Sequence, residues 1–300
     1  MLIALLADIH ANYHALTAVV EHARRYDSRV VFWCLGDVFG RGPAPLETWN
    51  MLTVTVRPQY WLAGNHDWGL AGLIGENEFG NQAEWEALVR QKEFLTAAGL
   101  YPTVQATIRA MPVMLSPFEG VYLAHGSFGV HQTTPWECIT EYLFRCVQIE
   151  KTWHTLRAFV TAPTPQDGLL ALTERWTPPM LMLVGHTHQR NLVWLNPRCR
   201  QETIEIGRWY ELARDAEQPV LVNPGSVGFP RELNADYCAS YALLDWDACR
   251  PRIAFQRVPY DRSATRRWMD ERVFPQKIKQ ELGQRCHFAY VNNCLCKEFL

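Results

Sequence analysis

Five short apolar runs in this chain each end in side chains that can bind a metal ion. Leu2-Ile3-Ala4-Leu5-Leu6-Ala7 leads into Asp8 and His10, and Val30-Val31-Phe32-Trp33-Cys34-Leu35 leads into Asp37. Tyr60-Trp61-Leu62-Ala63 leads into Asn65, His66 and Asp67. Val121-Tyr122-Leu123-Ala124 leads into His125, and Leu181-Met182-Leu183-Val184 leads into His186 and His188. Carboxylate, amide and imidazole donors together suit borderline divalent metals such as Mn, Fe, Co or Zn.

Something must carry these donors to one place. Continuous apolar runs of this length read as strands buried on both faces. In open α/β sheets the chemistry lies just beyond the carboxyl ends of the strands. Five such strands side by side would deliver all the donors to one crevice. Between the first strands the pattern turns helical. Asn12 is a candidate N-cap for a helix to about Arg25, with Leu16, Val19, Val20 and Ala23 on one face. A second helix is expected near Pro43, and two or three more fill 68–110.

The second half reads as mostly antiparallel strand, at 112–117, 120–124, 180–184, 191–196, 201–206, 219–223, 239–245 and 252–258. A mostly helical insertion at about 131–178 interrupts it, and Asp261 caps a last helix to about Val273. The donors run from Asp8 to His188, which ties residues 1–275 into a single domain and leaves 276–300 as a tail without an assigned role. The insertion carries Tyr142, Leu143, Phe144 and Trp153, so it is a candidate lid, homo-oligomer contact or extra helical layer.

Composition excludes several classes. Lys plus Arg total 29 and Asp plus Glu total 31, a net charge of −2, so there is no general pull toward nucleic acid or anionic membrane. No apolar run approaches the roughly 20 residues of a membrane span. The apolar start lacks a basic segment and runs straight into Asp8, so a cytoplasmic protein is expected. The nine cysteines are an odd, scattered set rather than a disulfide framework. Cys286-His287 and Cys294-Leu295-Cys296 lack the usual zinc-pair spacing.

The ordered set Asp8-x-His10, Gly36-Asp37, Gly64-Asn65-His66-Asp67, His125-Gly126 and Gly185-His186-Thr187-His188 resembles the signature of the calcineurin-like metallophosphoesterase superfamily. Asn223-Pro224-Gly225-Ser226, Ser240-Tyr241-Ala242-Leu243-Leu244-Asp245 and Val258-Pro259-Tyr260-Asp261 look like its bacterial and archaeal small-phosphodiesterase branch. The resemblance implies a four-layer αββα sandwich, two mixed sheets flanked by helices. It also implies two divalent ions, Mn first among them, with Fe, Zn, Co or Ni as alternatives. Asp8, His10 and His188 would hold one ion, and Asn65, His125 and His186 the other, with Asp37 bridging. Hydroxide between the ions would attack phosphorus. His66 resembles the family's general acid, and Asp67 would orient its imidazole.

Arg41 departs from the small-phosphodiesterase pattern. Its spacing from Asp37 is similar to that of Ser/Thr protein phosphatases and dinucleoside-tetraphosphatases, in which an arginine grips phosphate. Arg231 is a second phosphate candidate, and Asn65 also faces the substrate. Phe39, Trp68 and Phe128 are candidates to stack on a nucleobase, and His131 to line the pocket. The expected substrate is a small phosphodiester or phosphomonoester, with nucleotides included. A non-catalytic scaffold of the same fold is the alternative from another class. It predicts eroded ligands, and here all seven stand.

Overall fold

The computed structural model describes residues 1–79, 81–128, 143, 146–160, 171–172, 178–195, 199–212, 218–231, 238–246 and 250–283. Two sheets face each other. The first contains β1 (Leu2–Leu6), β2 (Val31–Cys34), β3 (Tyr60–Trp61), β10 (Trp209–Glu211), β12 (Ala239–Asp245) and β13 (Arg252–Val258), in the order β10-β13-β12-β1-β2-β3. The second contains β4 (Met114–Phe118), β5 (Val121–Ala124), β6 (Ala171–Leu172), β7 (Leu181–Leu183), β8 (Arg190–Trp194), β9 (Arg200–Gln201) and β11 (Val220–Pro224), in the order β6-β4-β5-β7-β11-β8-β9.

Strand β1 shows why the layers form. Its residues alternate between two cores, as the period of two requires. Ile3 and Leu5 point between the sheets, where they meet Trp33, Leu123, Leu183, Val222 and Phe255. Ala4 and Leu6 point outward to Leu16, Val19 and Val20 of helix α1 (Tyr13–Tyr26). The second sheet's outer face is covered by Ile149, Trp153 and Leu156 of a helix at Cys146–Val160. Helix, sheet, sheet, helix is the four-layer arrangement expected. Burying each Leu or Ile of these cores contributes about 1.5–3 kcal/mol.

Several expectations need adjustment. Strand β3 stops at Trp61, because Leu62 and Ala63 already belong to the bend that delivers Asn65. The strand expected at 201–206 shrinks to Arg200–Gln201, and a strand at Trp209–Glu211 takes the edge of the first sheet instead. The second sheet is mixed: its centre of β5, β7 and β11 is parallel, β4 and β8 pair antiparallel on either side of it, and β6 runs parallel to β4 at the edge. Within the insertion the described part is the 146–160 helix and the short β6; the other residues from 136 to 176, apart from Leu143, lie outside the described residues. Beyond Phe274 the chain forms another helix, Gln276–Gly283, whose Ile278 and Leu282 pack on Met269, Phe274 and Ala87. Residues 284–300, with the Cys286–Cys296 group, lie outside the described residues, as does His131. Among the described residues Cys199 takes part in a disulfide, and Cys34 is a buried free thiol.

Candidate active site

The metal-binding residue types meet where the strands end. Asp8 and His10 follow β1, Asp37 follows β2, Asn65 and His66 follow β3, His125 follows β5, and His186 and His188 follow β7. The turns that present them are tight. Asp8, His10, Asp37, His186 and His188 all have φ between +51° and +65°. Few residues other than glycine adopt this left-handed region, and Asp and His are among the more tolerant. Protein hydrogen bonds hold each turn. Asp8 N–H donates to Gly36 O (3.1 Å), His10 N–H to Asp37 O (2.9 Å), and His186 N–H to both carboxylate oxygens of Asp8 (3.1 Å each).

The donors form two clusters that share a centre. Asp8, His10 and His188 offer ligand atoms within 4.8 Å of one another, and so do Asp37, His125 and His186. Asp37 Oδ2 lies 3.3 Å from His125 Nε2, 3.8 Å from His10 Nε2 and 3.9 Å from His66 Nε2. It is buried and has no hydrogen-bond partner among the described residues, and neither has Asn65 Oδ1. His10, Asp37 and His66 form a third overlapping group.

The imidazoles are oriented for cation binding. His10 Nδ1 donates to Phe39 O (2.9 Å), His125 Nδ1 to Leu35 O (2.7 Å) and His188 Nδ1 to Phe229 O (2.7 Å). A carbonyl has no proton to give, so each Nδ1 carries one, and Nε2 is left as the position that offers a lone pair whenever the ring is neutral. His10 and His188 bring Nε2 to within 2.9 Å of each other. Burial, followed by nearby positive groups, holds both well below the ordinary histidine pKa, so two lone pairs face each other. Such an arrangement fits a bound cation. Burial raises the Asp8 carboxyl to about 7. Burial would raise Asp37 too, but His125, His66 and His10 outweigh it and hold Asp37 well below the carboxylate range. Burial disfavours a charged His125, yet Asp37 overrides this and raises it to about 9.

The remaining candidates divide. Arg41 is not a solvated loop residue; it is 3% exposed and pairs with Glu84. Arg231 is half-buried, its N–H donates to His188 O (3.1 Å), and its Nη2 lies 4.0 Å from Glu84. Asp67 does not orient the His66 ring. Its oxygens accept from Phe39 N–H (3.1 Å) and Gly64 N–H (3.0 Å), so it braces the two loops. The His66 ring faces Glu84 instead, with Nε2 3.3 Å from Oε2, and Phe79 meets it edge-on at 4.7 Å. Asn223 makes a tight turn, accepting from Gly225 N–H (2.9 Å), and donates to Gly185 O (2.6 Å) behind the histidine pair. Phe39 and Phe128 are core side chains rather than base-stacking platforms, and Trp68 packs on the same core as Phe39.

Sequence reasoning expected helices over 68–110 but missed what one of them, α5 at Gln82–Ala97, carries. It brings Glu84 to the site, and Gln91 clamps the Arg41 loop by donating to Gly40 O (2.9 Å) and Gly42 O (2.6 Å) and accepting from Gly40 N–H (2.9 Å). A signal existed. Glu84 and Gln91 are seven apart, on the face that also buries Ala87, Leu88 and Leu95. Polar groups on a buried helix face need partners.

Among the described residues no helix is long and apolar enough to cross a membrane. An uncharacterized protein of Methanocaldococcus jannaschii is 27% identical over 292 residues, covering 95% of this chain and 96% of that one. A metallophosphoesterase from Sphaerobacter thermophilus shares the fold at a TM-score of 0.70 and 24% identity, covering 95% of this chain and all of that one. A hypothetical protein from Pyrococcus horikoshii matches at a TM-score of 0.63 and 18% identity, over 94% of this chain and 97% of that one. The profile of the calcineurin-like phosphoesterases matches residues 1–190, which carry every metal-type donor described above, and the chain belongs to that family.

Proposed function

We propose that the chain hydrolyses a small phosphate ester with the help of two divalent cations. One observation carries this: the buried Asp37 Oδ2 stands without a hydrogen-bond partner among the described residues, between the imidazoles of two donor clusters. A carboxylate can serve two cations at once, whereas a neutral imidazole serves one. We assign Asp8, His10 and His188 to one ion, Asn65, His125 and His186 to the other, and Asp37 to both. Manganese is the first choice, and the donor set also suits Fe, Zn, Co or Ni. The ions would supply Lewis-acid activation of water and of the phosphoryl group.

The chain's own groups do the rest. His66 is assigned as the general acid that protonates the leaving oxygen. The 3.9 Å between its Nε2 and Asp37 Oδ2 supports this, because it sets the ring beside the metal-type donors. Arg41 and Arg231 would hold the phosphate oxygens, Arg41 as a fork of fixed geometry. Asp67 acts on the backbone of its loop. The buried Arg41 also favours a second reading, a dinucleoside-tetraphosphatase or protein phosphatase. A scaffold without chemistry is opposed by the complete donor set.

The test is hydrolysis of bis-p-nitrophenyl phosphate and p-nitrophenyl phosphate by metal-stripped protein before and after Mn²⁺ is restored. Turnover that needs the metal and disappears in Asp37→Asn and His66→Gln is the expected result. Metal-loaded protein inert toward both esters and toward dinucleoside polyphosphates would return the scaffold reading.

A further inference from the structure

Glu84 is the one carboxylate among the described residues that meets both arginines and His66. It is paired with Arg41, its Oε1 lies 4.0 Å from Arg231 Nη2, and its Oε2 lies 3.3 Å from His66 Nε2. It sits on a rigid support. The residue opens the first turn of α5, its N–H donates to the N-cap Asn81 (3.4 Å), and Asn81 Nδ2 donates back to Oε1 (3.0 Å). Two turns further along the same helix, Gln91 is locked to the Arg41 loop. The helix thus places the backbone of Glu84, and Asn81, Arg41 and His66 hold its carboxylate.

A counter-ion serving Arg41 alone could sit behind the guanidinium, away from the reacting centre. Glu84 reaches past Arg41 to the same imidazole nitrogen that approaches Asp37. Any phosphate held by Arg41 and Arg231 has this fixed anion beside it. Two guanidinium charges less one carboxylate leave a single positive charge on that side of the pocket.

We propose that Glu84 determines substrate class, favouring phosphoryl groups with one negative charge, as in phosphodiesters, over doubly charged phosphomonoesters. The inference rests on the phosphoesterase reading above. A diester can turn a neutral, esterified oxygen toward Glu84. A monoester has only charged oxygens left to place there, and repulsion in a buried, weakly screened site is strong. Glu84 acts through the charge it sets around Arg41 and is a positioning and specificity residue.

The experiment compares kcat/KM for bis-p-nitrophenyl phosphate and p-nitrophenyl phosphate in Mn²⁺-loaded wild type, Glu84→Gln and Glu84→Asp. Wild type is expected to favour the diester. Glu84→Gln should move the ratio toward the monoester by roughly tenfold or more, while Glu84→Asp, which keeps the charge, should retain the wild-type ratio. A Glu84→Gln ratio equal to wild type, or equal loss or gain on both substrates, overturns the proposal and leaves Glu84 a structural counter-ion. A wild-type measurement stands if that variant does not fold. The ester p-nitrophenyl phenylphosphonate is singly charged without being a diester, and it should group with bis-p-nitrophenyl phosphate. If it groups with the monoester, charge is not what the site reads. Metal-dependent turnover of none of the three would instead remove the phosphoesterase reading itself.

Discussion

At the scale of single residues, the site is built from groups that would be costly anywhere else. Asp37 is buried, ionised and left with one oxygen bare, a state that becomes favourable beside cations. Asp37→Asn should lower kcat/KM by more than about a hundredfold and reduce bound metal, read by elemental analysis. Gly40 is the second such point. Its φ is +133°, and a Cβ there would meet Nδ1 of His10 at 2.5 Å and of His66 at 2.6 Å. Gly40→Ala should cost about 1–3 kcal/mol in denaturant titration and reduce turnover, because it displaces both rings at once. The donor set was legible because each member follows its own strand within one to five residues. The role of Asp67 was not. Its neighbour in sequence is His66, but helix geometry turns the two side chains apart and sends the carboxylate to the backbone at Phe39 and Gly64.

At the scale of elements, α1 and α5 illustrate opposite cases. Helix α1 announced itself with Asn12 at its cap, whose Oδ1 accepts from Ala15 N–H (3.3 Å), and with an apolar stripe that is buried as expected. Helix α5 has mixed periodicity, because its inner face carries Glu84 and Gln91 among the alanines and leucines. Their partners in the Arg41 loop lie 43 to 51 positions away, so only packing reveals them. Gln91→Ala would strip the Arg41 loop of three hydrogen bonds and leave buried backbone groups unpaired. A loss of about 1–3 kcal/mol is expected, and KM should rise more than kcat falls if the loop mainly holds substrate. The helix at Gln276–Gly283 closes the outer side of the same assembly, through Ile278 and Leu282 against Ala87. It was invisible in sequence because it is short and its apolar pattern is shared with the preceding turn.

At the scale of the whole molecule, the two sheets meet over one apolar core, and Trp33 sits within it. The ring packs on Tyr60 and Phe118, and its N–H donates to Gln59 (3.2 Å). Trp33→Ala should cost about 3–5 kcal/mol with the metal donors untouched, so residual turnover per folded molecule should be preserved at low temperature. Removal of metal by a chelator should abolish turnover and leave the far-ultraviolet circular dichroism unchanged. The reason lies in the left-handed turns. Asp8, His10, Asp37, His186 and His188 are bent into place by the chain's own hydrogen bonds, such as those from Asp8 to Gly36 and from His186 to Asp8. Folding sets that geometry in advance, whichever ion later arrives. A pocket shaped this way is a socket finished before loading, and which ion it would carry becomes a question of supply rather than of which metal guided the chain to its shape.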